Sequence, residues 1–415
     1  MEHSEQPVPR AVVMKFGGSS VADADKIRAV AAKAAARCQT GERIVVVVSA
    51  MGKTTNRLID LAADVSGNSG GYKREMDMLM ATGEQVSAAL LAMALRDLGL
   101  DALSMNAYQI GMLTTDSYNS ARIRDINVVR LRKELNERGV VVVTGFQGVA
   151  ENGDLTTLGR GGSDTSAIAL AAALHCPCEI YSDVDGVYAC DPRIIPDAKK
   201  LEYITYEEML EMASSGAKVL HSRGVEIADK QQVELYCGST FSDERGTRIV
   251  KELPEWLEHP VVTGVAVNTD QIKVNLRGLP ENVHLYTRIF NELAVRCINL
   301  DMITIVSESG EAAVTFSVIR GDVGMVRPAL EAALQGLDSW SMTVDGEVAK
   351  VSAIGVGMQA ASGVAGRFFG ALERAGIDVL GVSTSEIKIA VLVPRAQAHA
   401  AADALMTEFD RKVKK

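Results

Sequence analysis

Over the first half of the chain, short runs of β-branched residues alternate with longer stretches of helical period. Residues 11–16, 43–49, 140–145 and 179–182 read as strands, and residues 25–37, 72–98 and 163–174 as helices. Alternation of this kind predicts a parallel or mostly parallel sheet with helices on both faces. The run Ile44-Val45-Val46-Val47-Val48 and the one at 140–143 show no polar alternation, so both predict strands buried on each side. Around residues 252–260 two prolines and several charges interrupt the pattern and mark a linker or domain boundary. Beyond it the chain repeats itself: Ile289-Phe290-x-x-Leu293 with Ile298-Asn299-Leu300 matches Phe368-Phe369-x-x-Leu372 with Ile377-Asp378-Val379. Each copy predicts a strand, a helix and two further strands, at 272–276, 283–294, 299–306 and 312–318 in the first. After the strand at 387–393 and the helix at 397–409 no strand remains, so the last unit needs an edge strand from elsewhere.

A length of 415 residues exceeds one compact domain, in keeping with a large α/β unit followed by two small ones. The formal net charge of -10, with no basic stripe, argues against a nucleic-acid binder. Residues 1–10 are polar and lack the apolar core of a secretion signal, and the apolar runs at 44–48 and 167–174 are too short to span a bilayer. A soluble, cytoplasmic chain with no membrane partner is the expectation. The six cysteines include no paired zinc-knuckle spacing, since only one residue separates Cys176 from Cys178, and reduced buried thiols are expected. No His pair has metal-site spacing, and His175 and His221, in apolar surroundings, read as hydrogen-bonded core histidines.

Candidate chemistry sits at glycine-rich turns. Lys15-Phe16-Gly17-Gly18-Ser19-Ser20-Val21 leaves a buried strand for a helix, a geometry that lets backbone N–H groups approach a phosphate. A Gly-Gly turn alone equally serves as a tight connection, but Lys15, placed among apolar residues, is costly to bury without an anion. Gly52-Lys53-Thr54 only mimics a P-loop, because Val47 stands where the first glycine belongs. Gly159-Arg160-Gly161-Gly162 leads into Ser163-Asp164-Thr165-Ser166, which reads as an N-cap cluster; Arg160 can grip a carboxylate with its fork, and Asp164 is either an orienting carboxylate or a cap. The turn Ser182-Asp183-Val184-Asp185-Gly186 reads as a surface loop able to meet a cation or a sugar hydroxyl, and Lys218 as a snorkelling side chain.

Taken in order, these segments closely resemble aspartokinases of the amino-acid-kinase superfamily. The resemblance rests on the turn from Lys15 to Val21, Val48-Ser49-Ala50-Met51-Gly52 with Thr55-Asn56, Thr82-Gly83-Glu84, and Thr156-Thr157 running through Gly162 to Asp164. Asp183-Val184-Asp185-Gly186-Val187-Tyr188, Asp191-Pro192-Arg193 and Gly216-Ala217-Lys218-Val219-Leu220-His221 extend it, so that it covers nearly the whole chain. It implies a three-layer α/β/α sandwich with a mostly parallel sheet over residues 1–252, then two ferredoxin-like ACT domains at 261–344 and 345–415. The strand at 261–267 would complete the second ACT domain.

The implied activity is transfer of the γ-phosphoryl group of ATP to the side chain of L-aspartate, the first step toward lysine, threonine and methionine. Carried over by position, Lys15 and Asp164 would be catalytic, with Lys15, Gly17, Gly18 and Ser19 on the transferring phosphoryl group. Lys218 would contact the nucleotide phosphates, and Ser182, Asp183, Tyr188 and Arg193 would line the nucleotide pocket. Aspartate would lie between Arg160 on its α-carboxylate and Glu84 near its ammonium group, with Ser49, Thr55 and Ser163 supplying hydroxyls. Mg²⁺ would be held mainly by phosphates and water. The resemblance also implies a dimer through the ACT domains and lysine or threonine, or both, as effectors. Departures are Ser20 and Ser182 for threonine, Ser222 for proline, no His-Pro pair in the stretch from Gly357 to Val364, and Ile305 where lysine- and threonine-sensitive relatives place a glutamine. An isoleucine cannot hydrogen-bond an effector amino acid.

Overall fold

The computed structural model describes residues 11–217, 219–254, 256, 260–308, 310–337 and 339–413. They form two units: the described residues up to Val187 with Lys200–Ser214 and 219–256, and a second made of Tyr188–Lys199, Ser215–Ala217 and 260–413.

In the first unit the elements follow as β1 (Ala11–Phe16), α1 (Ala24–Gln39), β2 (Arg43–Val48), α2 (Thr54–Val65), α3 (Lys73–Met80), α4 (Thr82–Asp97), β3 (Leu103–Met105), β4 (Met112–Thr114), β5 (Ile123–Ile126) and α5 (Val129–Arg138). Then come β6 (Val140–Thr144), β7 (Gln147–Ala150), β8 (Leu155–Thr157), α6 (Gly162–Leu174), β9 (Cys178–Ser182), β10 (Tyr203–Thr205), α7 (Tyr206–Ser214), α8 (Ser222–Gln231), β11 (Leu235–Ser239) and β12 (Thr247–Val250). Eight strands form one sheet in the order β10-β12-β11-β9-β1-β2-β6-β3, parallel except where β11 meets β12. Four short strands form a second, small sheet in the order β5-β4-β7-β8.

Strand alternation decides what each face of β1 meets. Val12, Met14 and Phe16 pack into a core with Ile27, Val30 and Ala34 of α1 and Leu91 and Leu95 of α4. Lys15 points the other way, toward α6. The buried valines of β2 and β6 pair in register from Ile44↔Val140 to Val48↔Thr144, as uninterrupted apolar runs require of central strands.

The helix expected over 72–98 is two helices that break at Ala81, whose carbonyl accepts a hydrogen bond from Gln147 Nε2 at 3.0 Å. Thr82 and Gly83 are poor helix formers, and Gly83 lets Ala50 approach so closely that a Cβ there would lie 2.8 Å from the Ala50 Cβ. Taken through the break, Lys73–Asp97 is long and apolar enough to cross a membrane by length and composition, contrary to the expectation that no stretch would be. Its apolar window is 50% buried, with Leu91 and Leu95 in the core, which is the pattern of a core helix.

Two modules share the second unit. The first is β14 (Gln271–Pro280), α9 (Val283–Val295), β15 (Asp301–Glu308), β16 (Glu311–Ile319), α10 (Val323–Ala333) and β17 (Ser341–Asp345), preceded in the chain by β13 (Gly264–Asn268). The second is β18 (Val348–Ile354), α11 (Val364–Arg374), β19 (Gly381–Ser385), β20 (Lys388–Pro394) and α12 (Ala398–Glu408). The sheets run β15-β16-β14-β17 and β13-β18-β20-β19, antiparallel throughout. β13 therefore takes, on β18, the place that β17 takes on β14, and supplies the edge strand the second repeat lacks. Lys350 of β18, only 3% exposed, pairs with Asp301 of β15, and Lys273 Nζ donates to the Leu380 carbonyl at 2.7 Å, so polar contacts join the two modules.

Candidate active site

Three parallel strands end side by side at one end of the large sheet, and each hands on to a turn. β1 continues into Gly17-Gly18, β2 into Ser49-Ala50 and β6 into Gly145-Phe146. Backbone bonds lock these turns together: Ser49 N–H donates to the Phe16 carbonyl at 3.2 Å, Gly52 N–H to Gly18 at 2.9 Å and Gly145 N–H to Val48 at 3.0 Å. A Cβ on Gly18 would lie 2.8 Å from the Ala50 carbonyl oxygen, so only glycine fits there. The turn at Gly18–Val21 is 3-10 helical, and its first N–H groups have no partner within it.

Lys15 is 8% exposed and its Nζ lies 2.6 Å from Asp164 Oδ1. The anion that lets Lys15 be buried is thus a carboxylate of the protein. Asp164 does not cap: α6 is capped by Gly161 without a side-chain bond, and Asp164 sits in the first turn facing Lys15. The expected N-cap cluster lies inside the helix, where Thr165 and Ser166 bond back to the carbonyls of Gly161 and Gly162 at 3.2 and 2.9 Å. Gly161, with φ +66°, has the His221 imidazole where a Cβ would be, so the turn before α6 also depends on glycine. His221 is no satisfied core histidine: its Nδ1 is buried without a partner among the described residues, and burial lowers its pKa. His175 is exposed and ends α6 in the left-handed region.

Glu84, in the first turn of α4, is 3% exposed. Its Oε1 accepts from Ala50 N–H at 2.9 Å, while its Oε2 is buried with no partner among the described residues. Burial pushes its pKa up to about 7, against the opposing pull of backbone N–H groups. A carboxylate so placed is short of one cationic donor. Arg160 is exposed in the Gly159–Gly162 turn, and its side chain makes no hydrogen bond or ion pair with a described residue. Ser163 is buried beside Asp164, and Ser49 and Thr55 are half-buried at the end of β2 and the start of α2. Lys15, Gly17, Gly18, Ser49, Glu84, Ser163 and Asp164 are thereby gathered at one end of the sheet.

The residues expected around a nucleotide are less of one piece. Ser19 and Asp183 are exposed, and Ser182 Oγ closes its own turn by accepting from Val184 N–H at 3.3 Å. Asp185 is paired with Lys200 at 2.9 Å rather than left for a cation. Tyr188 and Arg193 belong to the second unit, where the Arg193 guanidinium is held by Asp191, Nη2 to Oδ2 at 2.7 Å. Lys218 lies outside the described residues. Among the described residues no three of His, Cys, Asp and Glu sit close enough to hold a metal.

Motif reading does not single out Asp77. This α3 residue is fully buried, and its carboxylate accepts from Thr157 N–H at 2.8 Å, Thr157 Oγ1 at 2.7 Å and Asn119 N–H at 3.0 Å. An aspartate in an apolar helical period was its signal in the sequence.

Compared with known sequences, the profile of the Amino acid kinase family matches residues 10–239, and that of an ACT domain residues 351–409. An aspartate kinase of Pseudomonas putida is 44% identical over 401 residues, 96% of this chain and 97% of that protein. An aspartokinase of Geobacillus stearothermophilus is 44% identical over 400 residues, again with 96% and 97% covered. Among solved structures, E. coli aspartokinase III in complex with aspartate and ADP, called its R-state, superposes with a TM-score of 0.81 at 26% identity, covering 97% of this chain and 100% of that one. The same enzyme with lysine and aspartate, called its T-state, gives 0.75 at 27% identity, with 96% and 99% covered.

Proposed function

The chain belongs to the amino acid kinase family, among its aspartate kinases with ACT domains, and from that premise we propose which of its groups carry the reaction. The observation that carries the proposal is the buried Lys15–Asp164 pair beside the glycine turn at Gly17-Gly18, at the same end of the sheet as Glu84, whose Oε2 is buried with no partner among the described residues. ATP is the phosphoryl donor and the side-chain carboxylate of L-aspartate the acceptor. That carboxylate is already ionised near pH 7, so no general base is needed. The task is to bring two anions together and cancel their repulsion. Lys15 does this for the transferring group, helped by the backbone N–H groups that follow Gly17. Asp164 holds the Lys15 ammonium in place, and the start of α6 adds positive potential behind it. Ser182, Asp183, Tyr188, Arg193 and Lys218 are assigned to the nucleotide by the family resemblance, with Ser19 beside the phosphates. Mg²⁺ would neutralise phosphate charge and be held mainly by phosphates and water.

Arg160 takes the α-carboxylate of aspartate and Glu84 its ammonium, with Ser49, Thr55 and Ser163 in supporting contacts. Arg160→Lys keeps the charge but loses the fork, so the KM for aspartate should rise while that for ATP stays put. Trapping the acyl phosphate with hydroxylamine measures both constants, and equal rises in the two would remove Arg160 from this role. With wild-type protein and a panel of amino acids, the same assay should give hydroxamate from aspartate only.

The proposed domains are the kinase domain at 1–252, the first ACT domain at 261–344 and the second at 345–415, with residues 261–267 belonging to the second. The edge strand β15 exposes Ile303, Ile305 and Val306, an apolar edge suited to pairing with a second copy, which supports a dimer through the ACT domains. Lysine as effector is proposed from the lysine-bound T-state neighbour. Ile305 offers it no side-chain hydrogen bond, which leaves recognition at that point to backbone groups. A cytoplasmic setting fits ATP as donor.

A further inference from the structure

Two pieces of the site come from distant parts of the chain and must keep register. Glu84 stands on α4, just past the break at Ala81, while Arg160 rides on the turn between β8 and α6. One turn of chain before the break lies Asp77, 0% exposed and without a cationic partner among its hydrogen bonds. Its side-chain bonds go to Thr157, on the segment that carries Arg160, and to Asn119, which packs against that segment at Gly159. Thr157 gives both its N–H and its hydroxyl, at 2.8 and 2.7 Å, and Asn119 gives its N–H to both oxygens, at 3.1 and 3.0 Å. Asn119 is thereby held in the left-handed region, at φ 66°, and its carbonyl oxygen lies 2.9 Å from where a Cβ on Gly159 would be. Arg223 grips the same turn from the other side, donating to the carbonyls of Leu158 at 3.0 Å and Ala121 at 2.9 Å. Gly162 N–H closes it on the Gly159 carbonyl at 3.0 Å.

We infer that Asp77 is a positioning residue for aspartate: through Thr157 and Asn119 it sets the Arg160 turn at a fixed place relative to the helix pair that carries Glu84. A buried carboxylate with no cation beside it costs stability unless its hydrogen bonds are complete. A structural tie alone could be made by an apolar side chain at lower cost. Three donors, two from Thr157 just before the Arg160 turn and one from Asn119 packed against it, are what a precise tie requires. The inference rests on Arg160 and Glu84 being the groups that hold aspartate.

The test is steady-state kinetics on the full chain, well below its melting temperature. Asp77→Asn presents an NH₂ group where the backbone N–H groups need an acceptor, and Thr157→Val removes one donor while keeping the charge. Both should raise the KM for aspartate, Asp77→Asn by roughly tenfold or more, with little change in the KM for ATP. If Asp77→Asn fails to fold, Thr157→Val alone decides, by the same selectivity on a smaller scale. Combined with Arg160→Lys, Asp77→Asn should add less than its separate effect, because both act on one contact. Equal rises in both KM values, an additive double variant, or lost thermal stability with unchanged KM would overturn the inference and leave Arg160 in its role. A normal aspartate KM in Arg160→Lys alone would instead overturn the reading beneath it.

Discussion

Replacing Lys15 with alanine should lower kcat about a hundredfold or more, since a preorganised electrostatic contact at a transition state is worth roughly 3 kcal/mol or more. The ammonium is buried, fixed at 2.6 Å by Asp164, and stands beside the glycine turn, where a Cβ on Gly17 would be 3.6 Å from Nζ. A charge held in this way needs no rearrangement when the phosphoryl group arrives, and little solvent screens it. The aspartate KM should change far less than kcat, because Arg160 and Glu84 remain. Alanine also leaves Asp164 buried without its cation, so a thermal melt must accompany the kinetics to separate lost chemistry from lost folding. Asp164→Asn provides the complementary case: Lys15 keeps its charge but loses its anchor, and kcat should again fall. Near-normal turnover by a folded Lys15→Ala enzyme would remove Lys15 from the reaction.

How much of this was legible in the sequence depended on whether the cause was local. The strands β1, β2 and β6 are continuous apolar runs, and such runs have one stable place, the middle of a covered sheet. The need of the second repeat for a borrowed edge strand was also legible, because its segments end in a helix, and β13 meets that need. The break at Ala81 was not. It depends on Gln147, 66 residues away, taking a helix carbonyl, and on Ala50 pressing against Gly83. Lys15 was legible as a buried cation that needed an anion, yet nothing nearby in the chain pointed to Asp164, which only the packing of α6 on β1 brings into reach. Asp77 was the hardest to see. A lone aspartate in an apolar period looks like helix patterning until its three donors are known, and all come from residues at least 42 positions away. Glu84 was reached through a familiar motif, but its unpartnered oxygen belongs to the fold alone.

That oxygen makes a prediction about pH. Burial raises the Glu84 pKa from 4.5 to about 7, so the native protein keeps a proton that the unfolded chain gives up. Between those two values stability from this group is lost as pH rises, being fully present below the lower and gone above the higher. Above the higher value the native protein holds a buried carboxylate with one oxygen hydrogen-bonded, at a cost of roughly 3 kcal/mol by the size of the shift. The ammonium of aspartate supplies the missing partner, and only the ionised carboxylate attracts it. The KM for aspartate should therefore fall about tenfold between about pH 6 and about pH 8, while the KM for ATP stays level. Glu84→Gln removes the charge and keeps the shape. It should melt at a higher temperature than the wild type at about pH 8, lose the pH dependence of the aspartate KM, and bind aspartate at least tenfold more weakly throughout. Stability and function pull in opposite directions at this residue, as they do where a site is built for a ligand that must complete it. A variant that binds aspartate normally, or a wild-type aspartate KM that is flat across this range, would show that the ammonium is held elsewhere.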